Sequence, residues 1–404
     1  MNSRSLATLF FLIILSGILI LSIKRIPESD LPQGNYPESN ISIELVVSKP
    51  AISLHASYAA LVDPQAGRLL YGKASDQKVP MASTTKIMTL LIALEHGDFD
   101  KPVSVSKYAA SMPKVHLGMT TSDQFLLKDL LYSLMLESHN DSAVAIAEHV
   151  AGSVENFARL MNEKAKSLYM NSTNFVTPNG LDDDDHYSTA YDMCLLAGAA
   201  LADPNAMEII QTKQYAFSNV AGSRSFTVHN KDAFLSYYDG ALGMKTGFTG
   251  KAGYCFVGAA SRNNRLLTTC VLACGWPPNK SWKWSDTSTL MNFGFENYEE
   301  KELPMQDLSQ CFIPVYHGTQ PTVSCFAKAP VSSLISNYDS IRVSYDIPKI
   351  LEAPIEPSVP IGSISYYIND KLFQTLKIFP TQRIEKSTIS DTIGMVLQFW
   401  MKPF

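Results

Sequence analysis

No two of the six cysteines stand at C-x-x-C spacing, and none falls into a metal-ligand pattern, so the sequence carries no zinc signature. Charge is scarce as well: 18% of residues are charged and the net charge is −5, without the basic footprint of a nucleic-acid binder. The chain shows no internal repeat. At 404 residues with an apolar fraction of 46%, it has material for two ordinary domains plus tails, and too few charges to be a disordered chain.

One long apolar run is present, Leu6 to Ile23, with Arg4 before it and Lys24-Arg25 after it. A short basic leader and an uncharged stretch at the start of the chain read as an export signal over 1–25. No clear small-x-small cleavage site follows Ile23, and the run is long enough to span a bilayer, so an uncleaved anchor fits equally. Either way the rest of the chain is expected to work outside the cytoplasm, at the outer face of the membrane. Residues 26–50 carry Pro27, Pro32, Pro37 and Pro50 and read as a tether.

Regular structure is expected from a hairpin at 58–62 and 68–71, turning at Pro64-Gln65-Ala66-Gly67. From Ser83 the period changes: Ile87, Leu90, Leu91 and Leu94 predict an amphipathic helix ending near Gly97. Further helices are expected over 127–137, 141–151, 154–168, 188–202 and 204–211, and strands over 241–246, 254–260 and 266–273. Strands from both ends of a helical middle make one α+β domain over 51–302, an antiparallel sheet covered by helices. Val/Ile/Tyr runs broken by prolines predict a small all-β, β-sandwich-like module over 303–385. Residues 386–404 place Ile389, Ile393, Val396, Leu397 and Trp400 on one helical face, which suits packing on that module or lying in a membrane surface. Cys270 and Cys274, about 13 Å apart if on one strand, cannot bridge. Cys311 and Cys325 are either a disulfide or buried thiols.

The chemistry sits in three short elements. S-x-x-K occurs four times, but only Ser83-Thr84-Thr85-Lys86 opens a periodic apolar helix, which puts Ser83 and Lys86 on one face. Of three S-x-N matches, only Ser138-His139-Asn140 links two apolar helices; Asp141 reads as the cap of the second, leaving Ser138 and Asn140 to face a cleft. K-T-G occurs once, Lys245-Thr246-Gly247, at the end of a predicted strand and followed by Phe248-Thr249. By chance it turns up in roughly one chain in ten of this size; third in this order it is far rarer. Asp182-Asp183-Asp184-Asp185-His186 reads as a solvated acidic loop rather than a metal site, and His139 and His149 take no catalytic role.

These elements make a serine acyl-transfer site whose base is a lysine. Ser83 is the expected nucleophile. Lys86 serves as base if burial and the nearby Lys245 strip its proton. Ser138 relays that proton to the leaving amine, and Asn140 orients Lys86 and substrate. Lys245, Thr246 and Thr249 suit a substrate with a free carboxylate. The N–H groups of Ser83 and Phe248, with Gly247 between the threonine and the phenylalanine, would form the oxyanion hole.

The stretches 80–89, Gly180-Leu181-Asp182-Asp183, His186-Tyr187-Ser188-Thr189-Ala190 and 239–249 resemble the D-alanyl-D-alanine carboxypeptidases, low-molecular-mass penicillin-binding proteins of the S11 serine peptidase family. The resemblance covers about 55–300. It implies a penicillin-recognising serine acyl-transferase fold, with an all-α subdomain set against the sheet. It implies removal of the terminal D-alanine from peptidoglycan stem pentapeptides through an acyl-Ser83 intermediate, covalent inhibition by β-lactams, and no metal or cofactor. Two departures stand out. His139 occupies a position where many members have glycine, which would narrow or polarise the cleft. An arginine that many members place after the last core strand is missing, with Lys283 a possible substitute as a point charge. A β-lactamase or a D,D-endopeptidase would use a similar site, and a non-catalytic cell-wall-binding protein could keep the fold.

Overall fold

The computed structural model describes residues 32–43 and 47–388; the expected export signal and the C-terminal amphipathic helix lie outside them, apart from 386–388. The chain forms two compact units. One is Lys49–Glu300; the other joins the N-terminal stretch up to Ser48 to the chain from Lys301 onward.

The larger unit carries a five-stranded antiparallel sheet. Its strands are β1 (Tyr58–Asp63), β2 (Arg68–Lys73), β3 (Ala241–Thr249), β4 (Gly253–Arg262) and β5 (Arg265–Leu272), in the order β2-β1-β5-β4-β3. The two edges thus come from opposite ends of the unit's sequence. Helices α1 (Lys86–His96), α2 (Leu127–Leu136), α3 (Asn140–Ala151), α4 (Val154–Ser167), α5 (Ala190–Leu201) and α6 (Pro204–Gln211) fill the segment between. Helix α7 (Trp282–Asn297), which the sequence reading missed, follows β5.

Helix α1 departs from the amphipathic expectation. Every residue from Lys86 to Ala93 is buried, because α2, α3, α4, α5 and α6 surround it. A helix walled in on all sides needs no polar face, and each large aliphatic side chain it buries stabilises the unit by about 1.5–3 kcal/mol. Ser83 also sits differently from the expected first helical turn. It lies in a 3₁₀ turn, Ala82–Thr85, and Lys86 opens the α-helix proper. Ala82 enters that turn with φ +50.

The second unit is built on a seven-stranded sheet whose long strands include Ile341–Asp346, Gly362–Ile368 and Lys371–Pro380. Here the tether reading is corrected: Asn40–Ile43 is an edge strand, pairing Ile41 with Val343 and Ile43 with Ile341. The alternation Asn-Ile-Ser-Ile is a four-residue β pattern, masked by the proline-rich composition around it. All six cysteines are buried free thiols, Cys311 and Cys325 included.

Candidate active site

Lys86 is fully buried yet makes three hydrogen bonds from one nitrogen. Its Nζ lies 2.9 Å from Ser83 Oγ, 2.9 Å from Asn140 Oδ1 and 2.6 Å from the carbonyl oxygen of Asn179. Burial first, and the cation of Lys245 second, push its pKa well below the lysine range; the Asp141 carboxylate opposes them. Lys245 is itself only 2% exposed, and burial takes its pKa down to about 7, against the pull of the buried Asp232 carboxylate. A nitrogen that rests against a serine hydroxyl and gives up its proton easily can act as a general base.

Strand β3 brings the K-T-G segment to the Ser83 turn. Lys245 pairs with Val257 and Gly247 with Cys255 of β4, which fixes the strand's register beside the Ser83 turn. Thr246 is half-buried and Phe248 exposed, the latter packed at 4.7 Å between ring centroids on Tyr254. Thr249 is tied elsewhere: its hydroxyl donates to Asp182 Oδ1 at 2.8 Å and accepts from the Ala252 N–H at 3.0 Å. The four aspartates of the acidic run are exposed as expected, but His186 at its end is buried; two of the aspartates bind the β3–β4 turn, Asp182 through Thr249 and Asp184 through Lys251 at 2.7 Å.

The middle motif holds two corrections. Asp141 does not cap α3. The N-cap is His139, whose side chain makes no capping hydrogen bond. The Asp141 carboxylate instead accepts from the N–H groups of Leu117, Gly118 and Met119, at 2.9, 2.9 and 3.2 Å, and so anchors the loop that borders Asn140. An ionised carboxylate has about four acceptor sites and suits a row of backbone donors better than a single cap does. Asn140 joins the same loop through its N–H to Val115 O and its Nδ2 to Pro113 O.

His139 is 4% exposed, its Nδ1 lies 2.8 Å from Ser133 Oγ and its Nε2 3.4 Å from Glu137 Oε2, and burial lowers its pKa to about 4. Ser138 is the motif's strained member. Its φ is +68 and its buried Oγ makes no hydrogen bond with any described residue.

Lys283 is almost buried. Its Nζ donates to Lys280 O at 2.6 Å and sits over the rings of Trp284 and Tyr254, a cation held by aromatic faces.

Sequence reasoning missed the Asn179 carbonyl. Its one signal is the Pro178-Asn179-Gly180 turn. Gly180 has φ +81, and a Cβ there would meet Ala82 O at 2.0 Å, so only glycine lets this loop press against the turn that carries Ser83. Among the described residues, no group of three or more His, Cys, Asp or Glu is placed to hold a metal ion.

A profile of the D-alanyl-D-alanine carboxypeptidases matches residues 44–274, and one of the penicillin-binding protein 5 C-terminal domain matches 301–386. D-alanyl-D-alanine carboxypeptidase DacF of Bacillus subtilis (strain 168) is 29% identical over 356 residues, covering 86% of this chain and 90% of the relative. DacC of Escherichia coli (strain K12) is 28% identical over 385 residues, covering 91% and 93%. The solved structure of penicillin binding protein 5 from Haemophilus influenzae superposes with a TM-score of 0.67 at 26% identity, covering 84% of this chain and all of that one. The chain belongs to the D-alanyl-D-alanine carboxypeptidase family, as a serine-type peptidase with a penicillin-binding-protein fold.

Proposed function

We propose that this enzyme removes the terminal D-alanine from peptidoglycan stem pentapeptides through an acyl-Ser83 intermediate. The observation that carries this reading is the 2.9 Å contact between Lys86 Nζ and Ser83 Oγ, in surroundings that favour the neutral amine.

The neutral Lys86 takes the proton of Ser83 as Oγ attacks the carbonyl between the two D-alanines. The N–H groups of Ser83 and Phe248 receive the developing oxyanion. Asn140 holds Lys86 in line. Ser138, whose hydroxyl has no competing bond among the described residues, passes the proton to the departing amine, and free D-alanine leaves. Water then attacks the acyl-Ser83 ester, with Lys86 again taking a proton, and releases the tetrapeptide. Lys245 and Thr246 bind the substrate's terminal carboxylate as charge and hydroxyl. Gly247 leaves room for the strand to reach the site, and Thr249 acts through the β3–β4 turn rather than through the substrate.

A β-lactam presents a reactive amide and a carboxylate to the same groups, so penicillins acylate Ser83. The apolar N-terminal run supports export and a place at the outer face of the cytoplasmic membrane, held there by the N-terminal segment, the C-terminal helix or both. Incubation with a pentapeptide ending in D-Ala-D-Ala should release D-alanine, and penicillin should leave a stable adduct on Ser83. Ser83→Ala should abolish both while the thermal transition stays in place. Labelling that survives Ser83→Ala would reject the assignment, and rapid penicillin turnover would point to a β-lactamase.

A further inference from the structure

His186 ends the acidic run and is 3% exposed. It joins the two backbone segments that flank the Ser83–Lys86 pair, without a hydrogen bond to either residue. Its Nδ1 accepts from the N–H of Val176 at 2.9 Å and of Thr177 at 3.3 Å. A ring nitrogen that accepts carries no hydrogen, so the single ring N–H is at Nε2. That nitrogen lies 2.8 Å from Thr85 Oγ1. The Thr85 hydroxyl in turn donates to Ala82 O at 2.9 Å, and Ala82 holds the left-handed conformation just before the nucleophile.

The other arm is equally direct. Val176 and Thr177 run into Pro178 and Asn179, whose carbonyls accept from Thr89 Oγ1 and Lys86 Nζ, both at 2.6 Å. Phe175 meets the ring edge-on, with centroids 5.9 Å apart. Burial lowers the pKa of His186 to about 4, outweighing the Asp183 carboxylate on its own loop, which pulls upward, while Lys86 across the turn acts in the same direction as burial, so the ring is neutral and its donor–acceptor polarity stays constant.

We propose that His186 is a positioning residue for the acyl-transfer step: its neutral Nε2–H ring locks the Ala82–Thr85 turn to the 176–179 loop and thereby keeps the Ser83 hydroxyl on the Lys86 amine. The proposal rests on Ser83 and Lys86 acting as nucleophile and base. Displacement of that pair by an ångström or so weakens catalysis without removing any group that touches substrate.

The full chain and its variants are tested by acylation with a fluorescent penicillin, which separates the dissociation constant of the first complex from the acylation rate constant. Thr85→Val removes the hydroxyl at nearly constant volume, and His186→Asn keeps the acceptor while losing the reach to Thr85. Each should lower the acylation rate constant by about ten- to a hundredfold and leave the dissociation constant alone. The double variant should be no slower than the singles, because both break one linkage. His186→Gln, which still reaches Thr85, and Thr85→Ser should keep most of the rate. An unchanged rate in Thr85→Val, losses that multiply in the double variant, or a loss confined to the dissociation constant would overturn the proposal. If His186→Asn fails to fold, Thr85→Val against Thr85→Ser decides alone. A parent chain that penicillin does not label at Ser83 overturns the catalytic reading, and the role of His186 with it.

Discussion

Gly247 of β3 passes Ser83 so closely that a Cβ built on it would stand 3.0 Å from the backbone nitrogen of Ser83. The other atoms it would meet are Met81 O and the Ala82 Cβ, each at 3.1 Å. Backbone lies on both sides of the contact, so no flexible side chain is there to yield. The glycine of K-T-G is thus a spacing element between the strand and the turn that carries Ser83.

Gly247→Ala should therefore push β3 off the Ser83 turn. Overpacking of this kind costs about 1–3 kcal/mol, and the same displacement should slow acylation by about a hundredfold. Thermal unfolding and penicillin acylation, measured on one preparation, check both effects. A variant with parental stability and rate would mean that the contact relaxes without consequence.

The two buried lysines set opposite limbs of the pH profile. Lys86 must be neutral, so kcat/KM for a D-Ala-D-Ala peptide should rise with pH as the enzyme passes its lowered pKa. Lys245 must be charged to hold the carboxylate. Its pKa is about 7, so its cation is complete below that value and kcat/KM should fall as pH rises through it. Lys245→Arg keeps the charge at every accessible pH and should move the alkaline limb upward. Lys86→Ala should lower acylation by about a hundred- to ten-thousandfold, the usual worth of a general base. An alkaline limb that stays put in Lys245→Arg would assign it to another group.

Ser138 combines a left-handed backbone with a buried hydroxyl that has no partner among the described residues, two features that work against folding. Ser138→Gly removes both and should raise stability by about 1 kcal/mol. Acylation should drop by about a hundredfold or more if the hydroxyl relays the proton. Ser138→Ala, which keeps the backbone strain, should lose the same rate with less gain in stability. Denaturant titration with acylation kinetics tests the trade, and a fast Ser138→Gly would remove Ser138 from the relay.

Much of the site is legible along the chain because its parts are local. Ser83 and Lys86 lie one turn apart at the head of an apolar helix, and K-T-G ends a strand, so periodicity and spacing alone reveal them. What surrounds those parts is not local. The Lys86 Nζ finds Asn140 at a separation of 54 residues and the Asn179 carbonyl at 93, and a backbone carbonyl carries no residue-type signal. Asp141 looked like a cap because caps are common before helices; only the folded 117–119 loop supplied it with three better donors. His186 read as the end of an acidic loop because the N–H groups that select its tautomer belong to another stretch of backbone.

Short-range periodicity and side-chain chemistry were enough for most of the elements of the larger unit and for the candidate reacting groups, but not for α7, for the Asn40–Ile43 strand or for the 3₁₀ turn at Ser83. The tertiary structure alone decided that Lys86 would be dry, that α1 would be walled in on every side, and that Gly247 and Gly180 would be pressed against the turn of Ser83. Those outcomes depend on which distant segments meet when the chain closes, and desolvation, unlike residue type, exists only once they have met.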